Sequence, residues 1–165
     1  MKIPPERLSL TIISSYSFYK SGLIIRNDQQ LSENLVDHFM FQSIPSSVNS
    51  CLSIELSLKE LLSQNSIDFE KTHNIKTLYD SLPEEIKLFL ETALSKILEI
   101  DKDNISKKID AISNTFVEWR YYGIDEWTNK QLEFDFCETF AGVLIRFILK
   151  LNPNTARLIG DFEGE

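Results

Sequence analysis

The sequence predicts an all-α fold, an up-and-down bundle of five to six helices. Apolar residues recur at three- and four-residue steps along most of the chain. Five Gly and five Pro in 165 residues are too few for a sandwich or barrel, which turns every ten residues or so. No convincing strand alternation is present. The 42 % hydrophobic and 25 % charged fractions are ordinary globular usage. The length fits one domain over 1–165, with its core at about 45–151 and a frayed tail at 152–165.

The first helix is expected over 6–25, on Leu8, Ile12, Tyr16, Tyr19 and Leu23, although many Ser residues dilute the pattern. A polar loop at 27–32 follows, and Leu31–Phe41 extends the helix or forms a short one of its own. Pro45-Ser46-Ser47 marks a boundary where Ser46 or Ser47 caps a helix to about Ser63. Its stripe is Val48, Cys51, Glu55, Leu58 and Leu62, flanked by Leu52 and Leu61. Thr72 or His73 opens a short helix through Leu82, with Ile75, Leu78, Tyr79 and Leu82 on one face.

Ser81-Leu82-Pro83-Glu84 reads as a capping box with Pro near the first turn. The helix it starts runs to about Ile100 and turns Ile86, Phe89, Leu90, Ala93, Leu94 and Ile97 inward. After a charged turn at Asp101–Asn104, Asn104 caps a helix on Ile105, Ile109, Ile112, Phe116 and Trp119. Those steps of four, three, four and three form a clean amphipathic period. Gly123 ends it, a loop at 124–131 holds Trp127, and a last long helix runs from about Gln131 to Leu151. Asn152-Pro153-Asn154 stops that helix, and the acidic end is read as frayed.

Seventeen Lys and Arg against 25 Asp and Glu give a net charge of −8. Phosphate neutralisation dominates the affinity of DNA-coating proteins, so this balance disfavours DNA and non-specific nucleic-acid binding while leaving room for a local basic cleft. Cys51 and Cys137 both sit in apolar helical patterns, without a CxxC or a Cys/His cluster. They read as two reduced, buried thiols of a cytoplasmic protein, a disulfide between them being the alternative. The start MKIPPERLSLTII does not read as a signal peptide, and no stretch reaches the 18 apolar residues of a membrane span. No metal or cofactor is expected.

Three features stand out as candidate chemistry. Glu55 lies on the apolar stripe of its helix, and a buried carboxylate must find a partner or become neutral. Lys59, one turn on, can pair with it at the surface; otherwise a cation from another helix must hold it inside. Arg120 is embedded in FVEWRYYG (116–123) beside Phe116, Trp119, Tyr121 and Tyr122. Stacked rings can hold a guanidinium for a carboxylate or a phosphate. A structural Arg–Glu clamp is favoured over a nucleic-acid site. His73 opens a helix, bonded there to backbone or solvent, or else joins a polar cluster with Glu55 and Arg120. His38 has no accompanying motif, and two isolated histidines do not make a metal site. GxSxG, HExxH, Walker A and GxGxxG signatures are all absent.

CLSIELSLKELL (51–62), KTHNIKTLYDSLP (71–83) and NTFVEWRYYG (114–123) together resemble the HEPN domain family. The branch concerned carries an ELxLKALL helix, a tHdLxxLyxxL segment and an F…RY segment in that order. Here Asn74 stands where that branch has Asp. The resemblance covers about residues 45–150 and implies a small helical bundle. It also implies a two-fold dimer, in a family of RNase toxins, antiviral-defence nucleases and abortive-infection proteins. The usual HEPN catalytic pattern is an Arg, four to six residues, then a His, at a dimer interface, cleaving RNA without metal. Chemically the His would be general acid/base and the Arg would hold the phosphate. This chain departs from it: no His follows Arg120, and His38 lies too far beyond Arg26.

The expected function is therefore binding, with Glu55, Lys59, His73, Arg120 and Tyr121 as a binding or structural polar cluster, chiefly architectural. The partners are a copy of itself, a nucleotidyltransferase-like protein or RNA. The alternative is an RNase with a rearranged site built on His73 and Arg120. Phe39, Phe41, Trp127, Phe134 and Phe136 are candidates for the self-association surface, unless they are core.

Overall fold

The computed structural model describes residues 10–27, 43–69, 71–114 and 133–163. These form α1 (Leu10–Asn27), α2 (Ile44–Gln64), α3 (Ile75–Asp80), α4 (Glu84–Leu98), α5 (Lys102–Ala111), α6 (Phe134–Leu151) and α7 (Pro153–Glu163). The all-α class holds: among the described residues there is no strand. The centre of the bundle is α2 against α6. Around them, α1 packs on both, α3 lies on α2 and α5, α4 on α6 and α5, and α7 on the end of α6. No helix of the described residues is long and apolar enough to cross a membrane.

The core follows the apolar periods of the sequence. It joins Cys51, Ile54, Leu58, Leu61 and Leu62 of α2 to Phe136, Phe140, Leu144 and Ile148 of α6. Ile75, Leu78, Tyr79 and Leu82 close one side, and Leu90, Leu94, Ile105 and Ile109 another. Burying each such side chain stabilises the fold by roughly 1.5–3 kcal/mol before the cost of ordering it. The Cys51 and Cys137 sulfurs lie inside as free thiols, 3.6 Å apart.

Several boundaries and faces differ from expectation, each for a local reason. α1 does not bury the line through Tyr16 and Leu23. Its fully buried positions are Ile12, Ser15 and Gly22, because a serine stripe on α2 brings the two backbones together and small residues fit there. Neither Ser46 nor Ser47 caps α2. The helix starts earlier, at Ile44, with Pro45 in its first turn, where a missing N–H costs nothing, and both serines are buried.

The cap of α3 is Asn74 rather than Thr72 or His73; its Oδ1 accepts from the Thr77 N–H at 2.8 Å. The Ser81 capping box does not form. Ser81 Oγ donates back to the Thr77 carbonyl at 2.9 Å, so it closes α3, and Pro83 precedes α4 without a side-chain cap. Phe89 and Ile97, expected inward, are 44 % and 51 % exposed. Phe89 stacks instead on Phe147 of α6, with ring centroids 4.6 Å apart. Asp101, not Asn104, caps α5, accepting from the Asn104 N–H at 2.8 Å, so the charged turn is that helix's first turn.

Asn152 ends α6 as expected, but Pro153 then opens α7, which buries Thr155 and Ile159. A helix thus stands where a frayed tail was expected. Phe136 is core at 2 % exposure and Phe134 is half-buried, so Phe136 offers no association surface. The other three aromatics proposed for that surface, the Leu31–Phe41 helix and the 116–131 stretch lie outside the described residues.

Candidate functional site

Glu55 sits midway along α2 on the face turned toward the core, and only 4 % of it reaches solvent. Its neighbours Ile54 and Leu58 are sealed, so the carboxylate has little access to water and must be held by protein donors. Lys59 Nζ, one turn along the same helix, donates to Oε1 at 2.6 Å. His73 Nδ1 meets the same oxygen at 3.0 Å. A carboxylate only accepts, so Nδ1 carries the proton in this pairing. The i,i+4 lysine read from the sequence is in place, on a buried rather than a surface carboxylate, and a second donor, His73, comes from the turn before α3 and not from another helix. Glu55 Oε2 is buried and has no hydrogen-bond partner among the described residues.

His73 is positioned by the chain on either side of it. The Asn74 N–H donates to Thr72 Oγ1 at 3.0 Å. The Asn74 side chain caps α3 through Oδ1, which also accepts from Thr77 Oγ1 at 3.0 Å. Its Nδ2 donates to Asn114 Oδ1 at 2.9 Å, and the Ile75 N–H donates to the Ser113 carbonyl at 3.0 Å. The turn that carries His73 is thereby tied to the end of α5 on one side and to Glu55 on the other. An aspartate at position 74 could cap α3 equally well, but it has no amide to donate to Asn114.

Glu55, Lys59 and His73 are thus brought together, and the start of the 114–123 segment is joined to the 71–83 segment. Arg120 and Tyr121 lie outside the described residues. The Asn74–Asn114 bridge was missed in the sequence reading; the only signal was the departure of Asn74 from the aspartate of the pattern.

A second polar constellation, not singled out from the sequence, lies at the C-terminal end of α1. Arg26 donates to Asp135 at 2.6 Å and to Glu138 at 2.7 Å, and Lys108 pairs with Glu133. The bond to Asp135 holds the Arg26 guanidinium above its ordinary value. Arg26, Lys108, Glu133 and Asp135 line a cleft of about 420 Å³ with Ser46 and Ser47 of α2. Its cations are matched by acids, so it is a set of inter-helix clasps that fix α1 and α5 to the start of α6. Among the described residues no three His, Cys, Asp or Glu side chains gather as metal ligands.

Searches among curated proteins and among solved structures found no significant match. The sequence model of the HEPN domain matches residues 46–151, from the first turn of α2 to the last residue of α6. That span covers most of the chain and contains both the helical core and the Glu55–His73 pairing, and the chain belongs to the HEPN domain family.

Proposed function

We propose that this HEPN protein acts by binding, in a prokaryotic defence, toxin–antitoxin or stress setting. It pairs with a second copy as a two-fold dimer and engages RNA or a nucleotidyltransferase-like partner. The observation that carries this reading is the state of Glu55. Its Oε1 is shared by Lys59 and His73, so the histidine is one arm of a clamp between α2 and the turn before α3. Its Oε2 is buried without a donor among the described residues, and Arg120 is the proposed donor. A guanidinium does not give up its proton, and aromatic neighbours would shelter it. The family's Arg-then-His spacing is absent from the chain.

A rearranged RNase site is the second reading, and one observation favours it. The His73 side chain is 57 % exposed while a buried carboxylate fixes its Nδ1, which is how a general acid/base is oriented. Arg120 would then hold the phosphate.

One set of measurements separates the two. Purified protein incubated with total RNA leaves it intact, and light scattering at tens of micromolar gives twice 19.1 kDa. Glu55→Ala lowers stability by about 1–3 kcal/mol; Lys59 and His73 both reach solvent, so they are not stranded as a sealed partner would be. Arg120→Ala costs a similar amount, and the double variant loses less than the sum. The binding reading fails if the wild type cleaves RNA and His73→Ala or Arg120→Ala abolishes cleavage with unchanged melting.

A further inference from the structure

The polar cluster makes no use of the two thiols at the centre of the bundle. Cys51 lies two turns into α2 and Cys137 in the first turn of α6, the two helices that hold the core together. They are 0 % and 2 % exposed, and their sulfurs are 3.6 Å apart. A disulfide needs an S–S distance near 2.05 Å, so roughly 1.5 Å of approach separates the pair from a bond. Each sulfur moves on a single χ1 torsion. Cys137 also sits where α6 begins, its N–H donating to the Glu133 carbonyl, so only one turn of helix constrains it from the N-terminal side.

We propose that Cys51 and Cys137 are a modification site, a reversible disulfide that a small peroxide-class oxidant closes between α2 and α6. One thiol ionises, and its thiolate attacks a peroxide oxygen. The O–O bond breaks, a sulfenic acid forms, and the hydroxide that leaves takes up the released proton as water. The second sulfur then attacks the sulfenic sulfur. The S–O bond breaks, and its hydroxide leaves as a second water with the second thiol's proton. Two sulfurs give up two electrons in all, and one peroxide becomes two waters. A dithiol reductant returns both thiols.

Burial sets the rate and the selectivity. The neighbouring Cys51 sulfur and the apolar surroundings hold the Cys137 thiol well above its ordinary value, so little thiolate is present and large oxidants are excluded. Once formed, the bond links positions 86 apart in sequence, one helical turn from Glu55. Closing so long a loop restricts the unfolded chain strongly.

The test uses the full chain treated with hydrogen peroxide, then alkylated in denaturant. The expected product has lost two hydrogens in mass, contains no alkylated cysteine and gives one Cys51–Cys137 linked peptide. Its Tm rises by roughly 5–15 °C and returns to the starting value with dithiothreitol. Cys51→Ala and Cys137→Ala show no such rise. The proposal is overturned if both thiols stay alkylatable under peroxide that consumes a free cysteine peptide. Oxygen additions, or a linkage between two chains, in place of hydrogen loss overturn it equally. Should either variant fail to fold, the wild-type mass and linked peptide still decide.

Discussion

A carboxylate taken out of water needs donors, and Glu55 takes two of them on one oxygen. Tyr79 poses the opposite problem, a phenol that must not ionise. It is 5 % exposed, its Oη donates to Glu91 Oε1 at 3.2 Å, and its ring meets Phe140 edge-on. Burial first, then the Glu91 charge, push its pKa well up from the ordinary value. In the unfolded chain the phenol ionises near pH 10. The folded state therefore keeps the proton longer, and above that pH ionisation draws the chain toward the unfolded state. Tyr79 contributes fully below about pH 10 and loses its contribution as pH rises beyond it. Tyr79→Phe is expected to cost about 1 kcal/mol at pH 8 and to flatten the fall in stability between about pH 10 and 11. Urea unfolding of both proteins across that range checks it; parallel slopes would sink the assignment.

At the scale of elements, the α1–α2 contact is unlike the rest of the core. Ser46, Ser50, Ser53 and Ser57 recur along one face of α2 and are all buried. Ser15 Oγ donates to the Ser53 carbonyl at 2.8 Å and accepts from Ser57 Oγ at 2.6 Å, so the Ser15 and Ser57 hydroxyls do not sit unpaired in the interior. Hydroxymethyl groups in place of branched chains let the helices come close. A Cβ at Gly22 would lie 3.1 Å from the Ser46 carbonyl oxygen, which is backbone and cannot swing away. Gly22→Ala should therefore cost about 1–3 kcal/mol, even though alanine favours the helix by up to ~1 kcal/mol. A Cβ at Gly142 would meet the Tyr19 hydroxyl at 2.9 Å, the tip of a half-buried side chain that can turn aside. Gly142→Ala is accordingly expected within about 1 kcal/mol of wild type. Denaturant midpoints for the two variants test the contrast, and equal losses would contradict it.

For the molecule as a whole, a net charge of −8 limits how nucleic acid can be engaged. On the proposed reading RNA is held by only a few groups, Lys59, Lys71, His73 and Arg120, and Glu55 already engages two of them, Lys59 and His73. Neutralising at most about four phosphates of a single strand gives a slope of log K against log salt no steeper than about −3. Filter binding between 50 and 200 mM salt, chosen as about a fourfold range, measures the slope. A slope near −6 would mean a broad basic surface that this reading denies.

Periodicity alone determined the helical class and most of the core and put Glu55 on an inward stripe, leaving a surface pair with Lys59 open, because a helix repeats its inward face every three to four residues wherever it packs. The three segments that mark the family were likewise readable in order along the chain. Boundaries such as Asn74, Asp101 and Ile44 were not, because several polar residues near a helix start can each supply a cap, and packing selects among them. The α1 face was misjudged because serine and glycine carry no hydrophobic signal, although close helix approach favours them. That His73 reaches Glu55, that Asn74 reaches Asn114, and that two thiols 86 positions apart lie in contact was decided only by the tertiary structure. Such pairings depend on how helices distant in sequence are docked, and local pattern carries no information about that.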